Sequence, residues 1–465
     1  MGVTTLIKNT RLYHIASEQL VDVRFGEQVQ AIGQLEPHDH ERVVDAGGGL
    51  LLPGLHDHHI HLAATVAARS SLDVRDVASF DEFCTRLQEQ PPGPLRVFGY
   101  HESRLGKLDA ARLDACVADH PVRVQHSTGK LWVCNSKQLQ ELALAEPPAD
   151  GRSANAMADL ERDAHGQPTG RLFRGDQWFA VRSRAPDLGP LDAELASYGV
   201  TGVSDASYTN DAAQANWLKN QMRCVNVFVM GDATVTGGPF KVMLDEDNLP
   251  ELDACIQQVA AALAAGRVAA FHCVSYVELA FALAVLDGAG AGPGQRIEHG
   301  GLIDAPMVAE LTARGCVVVT QPGFITDRGS RYRQTMTAAE TQDLYRFRSL
   351  LAAGIPTLAS SDAPYGPLNP WQIMAAGQMR LADDGQVLNE VECVTPEQAL
   401  HGFLTHPHDP GGAARAVAVG EPADLCLLTQ DWPTARRHLA EVRPGATWLA
   451  GRQTYSSLDA EPRNA

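Results

Sequence analysis

The sequence predicts an α/β protein built on parallel strands with helical crossovers, accompanied by a small β domain assembled from both ends of the chain. Three observations predict it. Between residues 200 and 360, short apolar runs alternate with helical patterns, the rhythm of strand-helix-strand units. Both ends of the chain carry short strands broken by Gly and polar residues, the texture of a small antiparallel sheet. Where the first strand-rich piece meets the rest stands Leu52-Pro53-Gly54-Leu55-His56-Asp57-His58-His59-Ile60-His61-Leu62, whose chemistry later strand ends extend.

Composition narrows the function classes. At 465 residues the chain exceeds the usual single-domain size, so one large domain with a smaller companion is expected. Hydrophobic residues at 45% and charged residues at 20% are those of an ordinary soluble globular protein. A formal net charge of −18 disfavours binding to nucleic-acid phosphates or anionic membranes, so the expected partner is a small molecule. The 9 cysteines lack paired spacing, which argues against a disulfide framework and for a reducing cytoplasm. Met1 to Lys8 lacks the basic and apolar regions of a secretory signal. No uncharged run reaches the roughly 18 to 20 apolar residues needed to span a bilayer.

Taken in order, residues 5–7, 20–24, 29–32 and 43–44 read as short strands before Asp45-Ala46-Gly47-Gly48-Gly49. Residues 423–428 and 446–452 repeat the texture. Neither piece is long enough for a good core alone, so the two are expected to join in one β domain. Within 55–61, the period-two alternation of a strand puts Asp57, His59 and His61 on one face. Two neutral imidazoles two residues apart offer convergent lone pairs, and a carboxylate can orient a ring through its other nitrogen.

Residues 65–195 are richer in punctuation, with Pro91-Pro92-Gly93-Pro94, Pro147-Pro148 and Gly166-Gln167-Pro168-Thr169-Gly170, and read as an elaboration inserted after the first central strand. They carry two strand-to-loop transitions with polar ends, at 97–102 and 122–127. Strands are then expected at 200–204, 224–230, 240–244, 268–273, 296–299, 316–320 and 357–360, with helices at 252–265, 277–286, 305–314 and 338–353. A strand-helix barrel and an open doubly wound sheet both satisfy this alternation. Four of the strands carry or end on metal-capable residues: Lys241, His272, His299 and Asp362. In a parallel barrel such endings converge on one mouth. The Gly-rich run 288–294 lacks the Gly-Lys-Ser/Thr ending of a phosphate loop, and no Gly-x-Ser-x-Gly elbow is present.

The order Asp-x-His-x-His, then Lys, His, His and Asp, resembles the amidohydrolase superfamily. The resemblance extends to Asp45-Ala46-Gly47-Gly48, Leu52-Pro53-Gly54-Leu55, Gly199-Val200-Thr201-Gly202-Val203 and Gly420-Glu421-Pro422-Ala423-Asp424-Leu425. Leu131-Trp132-Val133-Cys134-Asn135-Ser136 and Pro168-Thr169-Gly170 resemble its family 3 branch, which includes N-substituted formamide deformylases and YtcJ-like proteins. Many members of that branch have Gly-His before the Trp-x-x-Asn-Ser run, where this chain has Gly129-Lys130.

The resemblance implies a distorted (β/α)8 barrel over 55–402 and a β-sandwich from 1–54 and 403–465. It implies one or two divalent metals, zinc above all. His59, His61 and Asp362 would hold the more buried one, and His272 and His299 the more exposed one. Lys241 would bridge them as N6-carboxylysine, with Cys273 an alternative contributor. Zinc lowers the pKa of bound water to about 7. The resulting hydroxide would attack an amide, N-substituted formamide or cyclic amide carbonyl, with Asp362 as general base and then acid. An ester or lactone is the alternative substrate, and a non-catalytic assembly protein on the same fold the remote alternative. Tyr100, His101, His126, Lys130, Gln321, Arg328 and Tyr365 stand at or just past expected strand ends. Tyr100, His126, Lys130 and Gln321 are the expected substrate contacts. A homo-oligomer such as a dimer is compatible with this reading.

Overall fold

The computed structural model describes residues 4–13, 19–143, 160–175, 178–179 and 185–458. Pro147-Pro148 and residues 459–465 lie outside them. Two compact units are present: Met1–Leu62 with Leu188–Ala465, and Ala63–Asp187.

In the first unit the two ends of the chain share one eight-stranded sheet. Thr5–Leu12 lies parallel to Leu50–Pro53, and Leu50–Pro53 lies antiparallel to Leu425–Leu428, which continues into Pro444–Leu449 and Arg452–Ser456. Ile7, Val23, Phe25, Leu51, Leu427 and Trp448 form its core. Neither end could bury this surface alone, so sheet pairing and burial depend on each other.

The same unit contains eight parallel strands: β1 (Leu55–Ile60), β2 (Val200–Asp205), β3 (Asn226–Val229), β4 (Phe240–Val242), β5 (Ala269–Cys273), β6 (Arg296–His299), β7 (Val317–Thr320) and β8 (Thr357–Ala359). They pair as a three-stranded sheet, β3-β2-β1, and a five-stranded sheet, β4 to β8. A parallel bridge between Gly231 and Phe240 joins the sheets on one side. On the other, the Asp362 N–H donates to His59 O (2.8 Å) and the His61 N–H to Ala363 O (2.9 Å). The ladder is therefore two sheets rather than the single closed one expected. β4 and β8, the edges of the five-stranded sheet, have 3 residues each, all of them paired to β5 and β7, and among the described residues only these few main-chain contacts link them to β3 and β1.

β7, Val-Val-Val-Thr, is buried throughout, as a parallel strand covered on both faces must be. Helix starts follow side-chain chemistry. Ser275 and Glu278 form a capping box for Tyr276–Gly288, and Asp304 caps Ala305–Arg314, which stops at left-handed Gly315 (φ 61°). The single helix expected at 338–353 is two, Ala338–Asp343 and Arg348–Ala352. Tyr345 between them adopts φ 43°, and the buried Arg380 guanidinium donates to the carbonyls of Leu344 (3.0 Å) and Tyr345 (2.9 Å). A helix over Gly323–Thr335 was not expected at all.

The second unit holds a six-stranded sheet. Leu95–Tyr100 runs parallel to Val122–His126, with Tyr100 opposite His126, and Val122–His126 turns back into Leu131–Cys134. The Trp-x-x-Asn-Ser run has a structural place here. Asn135 is buried and accepts from Val122 N (3.0 Å) and Gln138 N (2.9 Å) while donating to Val117 O and His120 O. Cys84 and Cys116 form a disulfide between helices Phe80–Gln88 and Ala110–Cys116. The expectation that the cysteines are unpaired is corrected for these two, which the fold brings side by side although 32 residues separate them. Among the described residues no helix is long and apolar enough to cross a membrane.

Candidate metal centre

The first unit gathers chemistry-bearing residues where β1 and β8 end. Strand alternation sends His56 and His58 to one face of β1, where His56 Nε2 meets Ser204 Oγ (2.8 Å) and His58 Nε2 meets Thr405 Oγ1 (3.1 Å). His59 and His61 take the other face with ring centroids 5.3 Å apart. Asp362 comes to them from just past β8. Its Oδ1 stands 3.1 Å from His61 Nε2 and 3.5 Å from His59 Nε2, and these three atoms lie within 4.8 Å of one another.

His299 ends β6, its ring 4.8 Å from that of His59 and 4.4 Å from that of His272 on β5. Lys241 on β4 is buried, and its charge acts on His59 and His299. His299 (φ 73°) and Asp362 (φ 47°) both hold left-handed backbones. Non-Gly residues seldom adopt that conformation unless their surroundings enforce it, and such residues cluster at functional sites.

Three of the rings have their second nitrogen occupied. His59 Nδ1 meets Glu298 Oε2 at 2.5 Å, His61 Nδ1 meets Ser207 Oγ at 3.0 Å, and His299 Nδ1 meets Gln321 Oε1 at 2.9 Å. Such partners fix ring orientation and tautomer, leaving Nε2 as the lone-pair donor. Glu298 also accepts from Arg296 Nε (2.7 Å), and both are fully buried. Asp57, on the ligand face of β1, turns instead to the main chain, accepting from His59 N (3.2 Å) and Ser361 N (3.1 Å). Burial pushes its carboxyl up to about 6. The carboxylate that orients a ring is thus Glu298.

Electrostatics suit a metal ion. Burial, with the charge of Lys241, lowers His59 to about 3, and burial lowers His299 to about 4, so both are neutral near pH 7 as ligation requires. Burial alone would raise Asp362, but the His61, His59 and His299 rings hold it below the usual carboxylate range. Desolvation lowers the Lys241 ammonium. Among the described residues His59 Nε2 and Lys241 Nζ are buried without a hydrogen-bond partner, an arrangement that is costly unless another group completes it. Imidazole nitrogens and a carboxylate oxygen suit zinc and neighbouring divalent metals. The residues present fit such an ion.

The expected ligands His59, His61, Asp362, His299 and His272 are therefore brought together, with Lys241 within electrostatic reach. The expected substrate contacts are divided between the two units. Gln321 is fully buried, serving His299, Val319 O (3.2 Å) and Ser360 Oγ (3.0 Å). Tyr100, His126 and Lys130 belong to the second unit. Tyr100 is fully buried there, its hydroxyl donating to Gly106 O and accepting from Leu108 N, both at 2.9 Å. His126 Nε2 is 2.8 Å from Glu102 Oε2, and its Nδ1 accepts from Thr128 N (3.2 Å). Lys130 is half-buried.

Sequence reasoning missed Glu298, Arg296 and Ser207. A signal for the first two existed. Opposite charges two residues apart in Arg296-Ile297-Glu298-His299 share one strand face, and in an apolar parallel strand such charges must be paired.

The chain is similar to the N-substituted formamide deformylase of Arthrobacter pascens, at 24% identity over 92% of each chain. It is similar to the YtcJ amidohydrolase of Bacillus subtilis strain 168, at 20% identity over 89% of this chain and 90% of that one. Among solved structures, a metal-dependent hydrolase from Pyrococcus horikoshii superposes with a TM-score of 0.68 at 20% identity, covering 92% of this chain and 98% of that one. The model of the amidohydrolase family matches residues 42–455, and the chain belongs to that family.

Proposed function

We propose that the protein is a metal-dependent hydrolase that cleaves a carbon–nitrogen bond in a small amide, N-substituted formamide or cyclic amide. The observation that carries this reading is the convergence of His59 Nε2, His61 Nε2 and Asp362 Oδ1 within 4.8 Å, with ring nitrogens turned toward the site by Glu298, Ser207 and Gln321. Family membership supports hydrolysis, and the deformylase name of one relative supports the amide. We read the two parallel sheets as halves of one distorted (β/α)8 barrel, with the site at the carboxyl ends of its strands.

His59, His61 and Asp362 would hold one divalent metal, zinc by donor chemistry, with His272, His299 and Lys241 available to a second. Such an ion supplies Lewis-acid polarisation of a carbonyl and acidifies a water molecule. The chain does the rest. Asp362 accepts the proton of the attacking water at a carboxylate oxygen and returns it to the departing nitrogen, as general base and then acid. His59 and His299, which burial lowers to about 3 and about 4, are too weakly basic to take a proton from that water. Glu298 and Gln321 keep their rings in one tautomer through the cycle. Lys241, desolvated and weakened as an ammonium, is disposed to add as a free amine to carbon dioxide, forming an N–C bond and releasing a proton to solvent; the resulting carbamate would offer oxygen donors to the ions held by the histidines.

The test is metal content per chain by elemental mass spectrometry on protein purified without chelators or a His-rich tag, followed by assay of matched amide and ester substrates. About two divalent metals per chain with amide turnover would support the bridged site, and about one would demote Lys241. Folded protein that takes up no metal would overturn the reading.

A further inference from the structure

A second group of side chains borders the candidate centre in the first unit. Arg328 lies on helix Gly323–Thr335, with its guanidinium 3.9 Å from the centroid of the Phe324 ring. One of its nitrogens donates to the carbonyl of Tyr365. Tyr365 packs its ring edge-on against His61 at 5.8 Å, and its N–H donates to Asp362 O (2.8 Å). Arg328 is thus linked through one residue to both His61 and Asp362.

The walls around it are aromatic and firmly built. Phe324 meets Tyr345 edge-on at 5.6 Å, and Tyr332 lies 6.1 Å from Tyr345. Tyr345 is held in its left-handed conformation by Arg380 at its carbonyl and by its own N–H donating to Gly301 O (2.8 Å). Among the described residues no carboxylate lies within ion-pair distance of Arg328. The side chain is only half-buried. Its guanidinium also meets the Tyr332 side chain and feels the charge of Asp362; with five N–H donors in a planar fork, donors still remain for something that enters from solvent.

A half-buried cation on an aromatic ring, without a protein carboxylate and beside the reacting groups, is the chemistry of an anion receptor. We propose that Arg328 anchors a carboxylate carried by the substrate, so that the amide hydrolysed belongs to an N-acyl compound with a free acid group beside an apolar or aromatic substituent. This rests on the hydrolase reading above. It adds the substrate class, and it assigns specificity to a residue outside the metal ligands.

Binding without turnover separates the two readings. In a D362N background carrying its metal, the probes are N-formylphenylalanine and its neutral carboxamide, N-formylphenylalaninamide, titrated by calorimetry. The expected result is an acid bound at least about ten-fold tighter than the amide, as a charge-assisted contact gives. Adding R328M removes that preference while leaving carboxamide affinity within about two-fold, which also shows that the variant is folded. R328K, which keeps charge but loses the planar fork, falls between. Equal affinities with Arg328 present, no binding of either probe, or a preference that survives R328M would each overturn the proposal. Absence of amide turnover by the metal-loaded wild type would instead refute the hydrolase reading and leave the binding ratio interpretable.

Discussion

Replacing Glu298 by Gln tests how the centre is built. The substitution keeps shape and volume but changes what the group offers. Glu298 accepts on one oxygen from His59 Nδ1 (2.5 Å) and on the other from Arg296 Nε (2.7 Å). A Gln amide has one oxygen and one NH2, so it satisfies one partner and opposes the other with a donor. Whichever partner the oxygen faces, the neutral amide leaves the fully buried Arg296 guanidinium without its counter-charge, and breaking a buried pair in this way costs about 3–5 kcal/mol. If the oxygen faces Arg296, the imidazole loses its acceptor, and loss of a ring-orienting partner weakens metal affinity about 10–100-fold. Combining R296M with E298L removes both buried charges. Stability should then recover most of the loss, whereas metal affinity should not, because His59 still lacks its acceptor. The assays are urea unfolding of the metal-free protein and chelator competition for zinc. E298Q protein with wild-type stability and wild-type zinc affinity would refute the account of Arg296 and Glu298.

Other perturbations follow from the same geometry. D362N should lower turnover by about 10²–10⁴-fold, the usual worth of a general acid–base, while elemental analysis still finds metal on the histidines; wild-type rates would remove Asp362 from the chemistry. In the metal-free protein, His59 and His299 have native pKa values of about 3 and about 4, below the roughly 6.5 of an unfolded chain. The unfolded state therefore binds more protons in this window, and stability should fall as pH drops from about 6.5 toward 4; urea midpoints that stay flat there would contradict the buried neutral rings. G202A should destabilise by about 1–3 kcal/mol, because a Cβ at that position would stand 2.4 Å from Nδ1 of the His56 ring, a rigid group held by Ser204. An unchanged melting temperature would show that the ring can move.

How much of this was legible depended on periodicity. The period of two placed His59 and His61 together on one face of β1, and Arg296 to His299 was found as a strand with the expected bounds. What lay outside that logic was long-range pairing. Glu298 serves His59 across 239 residues, and nothing local distinguishes it from a surface glutamate except the buried strand around it. Gln321 sits just past β7 in sequence, as a mouth residue would, but its side chain turns inward to His299. The break at Tyr345 was invisible because Arg380, which secures it, belongs to a segment 35 residues on. The helix carrying Arg328 was missed because its many polar residues, Asp327, Arg328, Ser330, Arg331, Arg333 and Gln334, leave only a short apolar stripe.

The junction of β1 with the segment after β8 has a consequence for biosynthesis. The two histidines of β1 are made early, but Asp362, and the main-chain bonds that tie it to His59, come from the last of the central strands; Ser361 N and Asp57 Oδ1 are 304 residues apart. During synthesis at roughly 5–20 residues per second, the nascent chain therefore exposes a pair of imidazoles for some tens of seconds before the third donor exists. On the proposed ligand set, tight metal capture would be a late event, timed by the emergence of residue 362. A chain cut short before that point would carry the two imidazoles of β1 without their carboxylate partner.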